Sequence, residues 1–165
     1  MKRILYATDL GIYSPYILKS LSRLVSASDD QIHVLHVIEP MGVFAESILR
    51  TYVSDDSRRH LQRHGLSKVM GVIKEQVIDT LESEYKDILS GIELKTVDVE
   101  LGNPAKVIVE QAERLKVDMI VMGSRGQYSL TNTALGSVTN KVLQWAVIPV
   151  VVIPMMGVEE LDRLT

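Results

Sequence analysis

The apolar run Met119-Ile120-Val121-Met122 leads straight into Gly123-Ser124-Arg125-Gly126, and Gly136-Ser137 follows after nine more residues. A buried strand, a glycine-bearing loop and a helix opened by a third glycine form a strand-to-helix unit, the building block of parallel sheets. Glycine at 123 and 126 lets main-chain N–H groups turn toward an anion with no Cβ in the way. Gly136 and Ser137 bring the N–H groups of a helix N-terminus, with their partial positive charge, to the same spot. Phosphate suits such a site. A lone G-x2-G reads equally well as an ordinary turn; the full G-x2-G-x9-G-S spacing behind an apolar strand favours the anion.

The rest of the chain repeats the alternation. Arg3 to Thr8 reads as a short buried strand. Ser14-Pro15 opens a helix with Ile17, Leu21 and Leu24 at helical spacing, and a polar turn at Asp29-Asp30 precedes a second strand, Ile32 to Ile38. Glu39 to Asp56 has no clear period and contains Pro40 and Gly42, so it reads as a long loop with a short helical piece around Phe44 to Tyr52. From Asp56 to Leu89 the pattern is helical, with Asp55-Asp56 at its start and Gly91 at its end. Leu66, Met70, Ile73, Val77, Leu81 and Tyr85 form the stripe that must face the sheet, and Gly71 lies on another face. Ile92 to Leu101 is a third strand; Asn103 caps the next helix, with Pro104 in its first turn and Ile108, Ala112 and Leu115 on its inner face. Asp118 to Met122, Ser137 to Ala146 and Ile148 to Ile153 complete the order as strand, helix and strand. This is an α/β chain with a parallel sheet covered on both faces. Such sheets bind ligands beyond the carboxyl ends of their strands, where the strand order reverses. The first and fourth strands should flank that crevice, which brings Asp9 and Gly123 together.

Several function classes are disfavoured. At 165 residues the chain is one domain, and it has no cysteine for disulfides, thiolate metal sites or nucleophilic catalysis. A net charge of −3, with no basic stripe interleaved with aromatics, argues against a nucleic-acid partner. The apolar runs are too short to cross a bilayer, and the opening Met1-Lys2-Arg3-Ile4 breaks at Asp9 as a strand does rather than a signal segment, so a cytoplasmic protein is expected. No G-x4-G-K-[ST] loop and no G-x-G-x2-G fingerprint occurs. His60 and His64 have metal-ligand spacing, but they lack a zinc-protease glutamate and stand among Arg58, Arg59 and Arg63. His33 and His36 are an odd distance apart on a strand and point to opposite faces.

The motif, with Asp118-Met119-Ile120-Val121-Met122-Gly123 before it, the opening Ile4-Leu5-Tyr6-Ala7-Thr8-Asp9, the turn Gly102-Asn103-Pro104-Ala105 and the close Ile148-Pro149-Val150-Val151-Val152-Ile153, resembles the nucleotide-binding subgroup of the universal stress protein family. The resemblance covers residues 1–154 as one domain and leaves 155–165 as a tail, with Met155-Met156 at a surface or interface and a solvated Glu159-Glu160-Leu161-Asp162. It implies a Rossmann-like five-stranded sheet in the order 3-2-1-4-5. It also implies that Gly123, Gly126, Gly136 and Ser137 contact phosphate and ribose, with Met122, Val138 and Thr139 beside them, and that Ala7, Thr8 and Val37 wall the adenine. Ser137 also reads as the helix cap. Arg125 reads either as a cation reaching the phosphates or as a solvated loop arginine. Asp9 faces the base and sugar in the family and can hold a hydrated Mg2+; its plainer reading is a turn aspartate. The family's Asp-Gly-Ser is replaced here by Asp9-Leu10-Gly11, which puts the neighbouring polar contacts in doubt.

ATP is the expected ligand, with ADP and AMP as alternatives, acting as a regulatory ligand or a slowly hydrolysed substrate in stress response. Beside the glycine loop the sequence offers no nucleophile–base pair, no histidine and no second acidic residue, so slow ATPase activity is the most to expect. The other reading is an interaction module, nucleotide-free or AMP-bound, that dimerises and meets an unidentified protein partner through residues 39–56. An adenylyl-transfer enzyme would need a His-x-G-His or lysine-bearing signature loop, which is absent. Val150, Val151, Val152 and Ile153 should form an open edge strand through which two copies pair, bracketed by Pro149 and Pro154.

Overall fold

The computed structural model describes residues 1–11, 14–25, 29–40, 50–60, 65–89, 92–125 and 135–154. In chain order the elements are β1 (Arg3–Thr8), α1 (Ser14–Leu24), β2 (Gln31–Ile38), α2 (Asp55–His60), α3 (Leu66–Ser83), β3 (Glu93–Leu101), α4 (Pro104–Leu115), β4 (Met119–Gly123), α5 (Ser137–Trp145) and β5 (Val150–Ile153). The five strands pair in parallel in the order β3-β2-β1-β4-β5. The order therefore reverses between β1 and β4, where the sequence places the crevice.

Alternate side chains of each strand feed two separate cores. Ile4, Tyr6, Ile32, Val34, Val121 and Ile153 pack under α1 and α3, against Ile17, Leu18, Leu21, Val77 and Leu81. Leu5, Ala7, Leu35, Ile120 and Met122 pack under α4 and α5, against Ala105, Ile108, Ala112 and Val142. Residues buried as fully as Ile4, Leu21 and Ile32 each contribute about 1.5–3 kcal/mol over an exposed position. With both faces covered, the central strands β1 and β4 need to be apolar at nearly every position and read as continuous runs, whereas β3, at the edge, alternates.

Local signals behave as expected at α4: the Asn103 side chain accepts from the Lys106 amide, and Pro104 takes the first helical position. The long helix departs from expectation. Its stripe is used, with Val77 and Leu81 buried and Ile73 and Tyr85 packed on the core, but α3 stops at Ser83. Tyr85 and Leu89 reach the core from turns instead, held by Leu89 N–H donating to the Tyr85 carbonyl at 2.9 Å. Asp55 and Asp56 open the separate short helix α2, where Asp56 pairs with Arg59 at 2.8 Å. The Asp29-Asp30 turn is also more than polar surface: Asp30 is buried, and its carboxylate accepts from the Lys2 amide at 2.7 Å. The expectations for a helical piece at 44–52, for Gly91, for Gly126 and His64, and for the tail 155–165 fall wholly or largely outside the described residues. Among the described residues no helix is long and apolar enough to cross a membrane.

Candidate functional site

Where β1 leaves the sheet, Thr8 is held on two sides. Its carbonyl accepts from His36 Nδ1 at 2.9 Å, and its hydroxyl accepts from the Leu10 amide at 3.0 Å and lies 3.4 Å from the Ser14 hydroxyl. One residue on, Asp9 Oδ1 accepts from the Gly11 amide at 3.0 Å, and the Gly11 carbonyl receives the Ser14 N–H at 2.9 Å, joining the turn to α1. Side chains bonding the main chain two residues ahead are turn builders, and both act here in succession. Leu10 takes φ +58°, a left-handed conformation costing a branched-chain residue about 1 kcal/mol or more. It stands where the resemblance places glycine. The departure from Asp-Gly-Ser thus keeps a glycine-type backbone and adds an apolar side chain, which packs on the α1/α3 core. That side chain walls an open depression of about 490 Å³ shared with Ile73, Gln76, Thr80 and Ser83. Below the turn, Tyr6 is buried and its hydroxyl finds no hydrogen-bond partner among the described residues. Burial pushes its phenol up to about 12, against a smaller opposing pull from the nearby Thr8 and Ser14 hydroxyls.

Two ties close the β4 side. Ser124 donates its amide to the Ile153 carbonyl at 2.8 Å and accepts the Gly136 N–H on its own carbonyl at 2.7 Å. Thr139, on the buried face of α5, donates its hydroxyl to the Gly123 carbonyl at 3.0 Å. Together they set the start of α5 against the end of β4, although residues 126–134 intervene. The cap of α5 is Gly136 (φ −70°, ψ 159°), not Ser137, which is the first helical residue and is exposed. Glycine has no side chain to accept from the first turn, so those N–H groups are left for an acceptor of another kind.

The structure therefore gathers Ala7, Thr8, Asp9, Met122, Gly123, Arg125, Gly136, Ser137, Val138 and Thr139 at the carboxyl ends of β1 and β4. Ala7 and Met122 are direct register partners. Val37 stands one residue past His36, the register partner of Thr8, at the end of the adjacent strand. The two β2 histidines do part company: His33 is buried and bonds Thr96 Oγ1 at 3.0 Å, and burial holds its imidazole below the usual range. His36, by contrast, is brought to the mouth. Judged from residues near the glycine loop, the site had no histidine; the register pair Thr8–His36 supplies one from another strand.

The donors here are main-chain N–H groups at the start of α5, which fit an anion rather than a cation. Among the described residues no cluster of His, Asp or Glu is placed to hold a metal ion by itself. Asp9 would supply at most one oxygen to a Mg2+ whose other ligands are phosphate and water.

A profile of the universal stress protein family matches residues 1–154. The chain is 29% identical over 160 residues to universal stress protein MJ0577 of Methanocaldococcus jannaschii, covering 92% of this chain and 94% of that one. It is 26% identical to universal stress protein YxiE of Bacillus subtilis, covering 92% and 97%. The solved structure of MJ0577 superposes with a TM-score of 0.69 over 94% of this chain and 97% of that one, at 28% identity. An AMP-bound family member from Arabidopsis thaliana shares the fold at a TM-score of 0.53 and 18% identity, over 97% and 95% of the two chains.

Proposed function

The chain belongs to the universal stress protein family, and from that premise we propose that it binds an adenine nucleotide, ATP first, at the mouth between β1 and β4. The observation that carries this reading is the start of α5, capped by a glycine and tied to β4 through Ser124 and Thr139. That arrangement presents helix-terminal N–H groups at the point where the sheet reverses. Phosphate lies against Gly123, Gly126, Gly136, Ser137 and the amides of Val138 and Thr139, with Arg125 as the nearby cation. The Thr139 hydroxyl is already committed to Gly123, so only its main chain serves the ligand. Base and sugar lie along Ala7, Thr8, Asp9, Val37 and Met122. When bound, Mg2+ would neutralise phosphate charge, and Asp9 is the residue to hold it through water.

The nucleotide acts as a regulatory ligand, hydrolysed slowly at most, in a cytoplasmic stress-response protein. Isothermal titration with ATP, AMP and GTP, with and without Mg2+, tests this reading. ATP should bind and GTP should not, and Gly126→Val should weaken ATP about 100-fold by putting a branched side chain where phosphate approaches. Equal affinity in the variant removes the loop as the site, and AMP bound in preference to ATP moves the protein to the AMP-bound interaction module.

Pairing of two copies through β5 belongs to the same reading. Val150–Ile153 is an edge strand with only β4 beside it in the sheet, and its first three residues are half-buried. Val151→Lys should give monomers by analytical ultracentrifugation; an unchanged dimer rejects this edge.

A further inference from the structure

Among the described residues at the mouth, His36 is a titratable side chain to which the nucleotide reading gives no task. We propose that it is a positioning residue for the nucleotide, clamping the last register pair of β1 and β2 so that the Thr8–Asp9 peptide faces the crevice. The inference rests on the nucleotide reading and deepens it. A carbonyl oxygen only accepts, so the 2.9 Å approach of Nδ1 to the Thr8 carbonyl requires the proton on Nδ1. In the neutral ring Nε2 then carries the lone pair. The Thr8 carbonyl and the Asp9 N–H belong to one planar trans peptide and point in opposite directions. The Lys2 carbonyl is turned toward β2, where it accepts from Gln31, and the Arg3 carbonyl toward β4, where it accepts from Asp118. By that alternation the Thr8 carbonyl points at β2 and the Asp9 N–H to the β4 side, where the nucleotide is proposed to sit. Thr8 is the last residue of β1, and its pair with His36 is the last step of the β1–β2 register, so the imidazole acts at the end of the ladder. There the imidazole holds the peptide from one side, while the Leu10 amide engages the Thr8 hydroxyl from the other.

Nitrogen NMR of the imidazole in the nucleotide-free protein should report the Nδ1–H tautomer for His36. His36→Leu should weaken ATP about five- to tenfold and speed hydrogen exchange at the Asp9 and Leu10 amides. His36→Asn, whose amide nitrogen sits close to the position of Nδ1, should restore affinity to within about twofold. A merely structural role would lower the unfolding midpoint of both variants alike, without this split. A parent protein that binds no adenine nucleotide overturns the function and this inference together. A parent that binds, with His36→Leu equally tight or with the proton on Nε2, overturns the His36 assignment alone.

Discussion

The two ends of the sheet treat their polar groups in opposite ways. At the amino end, carboxylates close off the main chain: Asp30 takes the Lys2 amide at 2.7 Å, Asp118 takes the Arg3 amide at 2.6 Å, and the terminal amine of Met1 pairs with Asp29 at 3.2 Å. At the carboxyl end Asp9 bonds within its own turn, and α5 starts on a glycine. Other ties at the carboxyl end are made by hydroxyls, carbonyls and an imidazole, an arrangement that under the proposed function keeps carboxylates from repelling phosphate. The amino end closes its main chain with carboxylates, and the carboxyl end is where the proposed nucleotide would sit.

That division can be broken most sharply at Asp30. Asp30→Ala strips a buried acceptor from the Lys2 amide and should cost about 2–3 kcal/mol, read as a lower urea midpoint. ATP affinity should stay within about twofold, since the mouth is at the far end of the strands. An affinity that falls along with stability would show that the ends are not independent.

A smaller effect sharpens the contrast, because each end holds one non-glycine residue at positive φ. Lys116, at φ +51°, ends α4 as an exposed cap, its amide reaching back to the helix carbonyls. Lys116→Gly should gain about 0.5–1 kcal/mol in thermal unfolding, as the strain goes and no buried surface is lost. The same change at Leu10 should bring no gain: packing worth about 1–1.5 kcal/mol offsets the relief. A stabilised Leu10→Gly would mean that the leucine side chain does nothing for the turn.

Wherever short-range chemistry decides, the sequence was legible. Apolar runs marked four strands, and alternation marked β3, all to within two residues at either end, while Asn103-Pro104 marked the start of α4. The reversal of strand order between β1 and β4 followed from the resemblance to the family; strand–helix alternation alone does not give it. What stayed hidden depends on partners distant in sequence. Asp30 looks like any turn acid until its bond to Lys2, 28 residues away, is seen. His36 reads as one half of a failed metal pair until register sets it beside Thr8. At Ser137 the misreading was local: serine is a favoured cap, yet the glycine before it takes that position. The stripe through Tyr85 was read correctly as buried and wrongly as all helix, since turns can hold the same face to a core.

Ser124 has a consequence for mechanics. Its amide hangs from the Ile153 carbonyl on the outermost strand, and its own carbonyl receives Gly136, the cap of α5. Two main-chain bonds under 3 Å thus run in series from the rim of the sheet to its mouth. Sliding β5 by an ångström cannot leave α5 where it was without snapping one of them, so a load applied at the rim is transmitted to the opening.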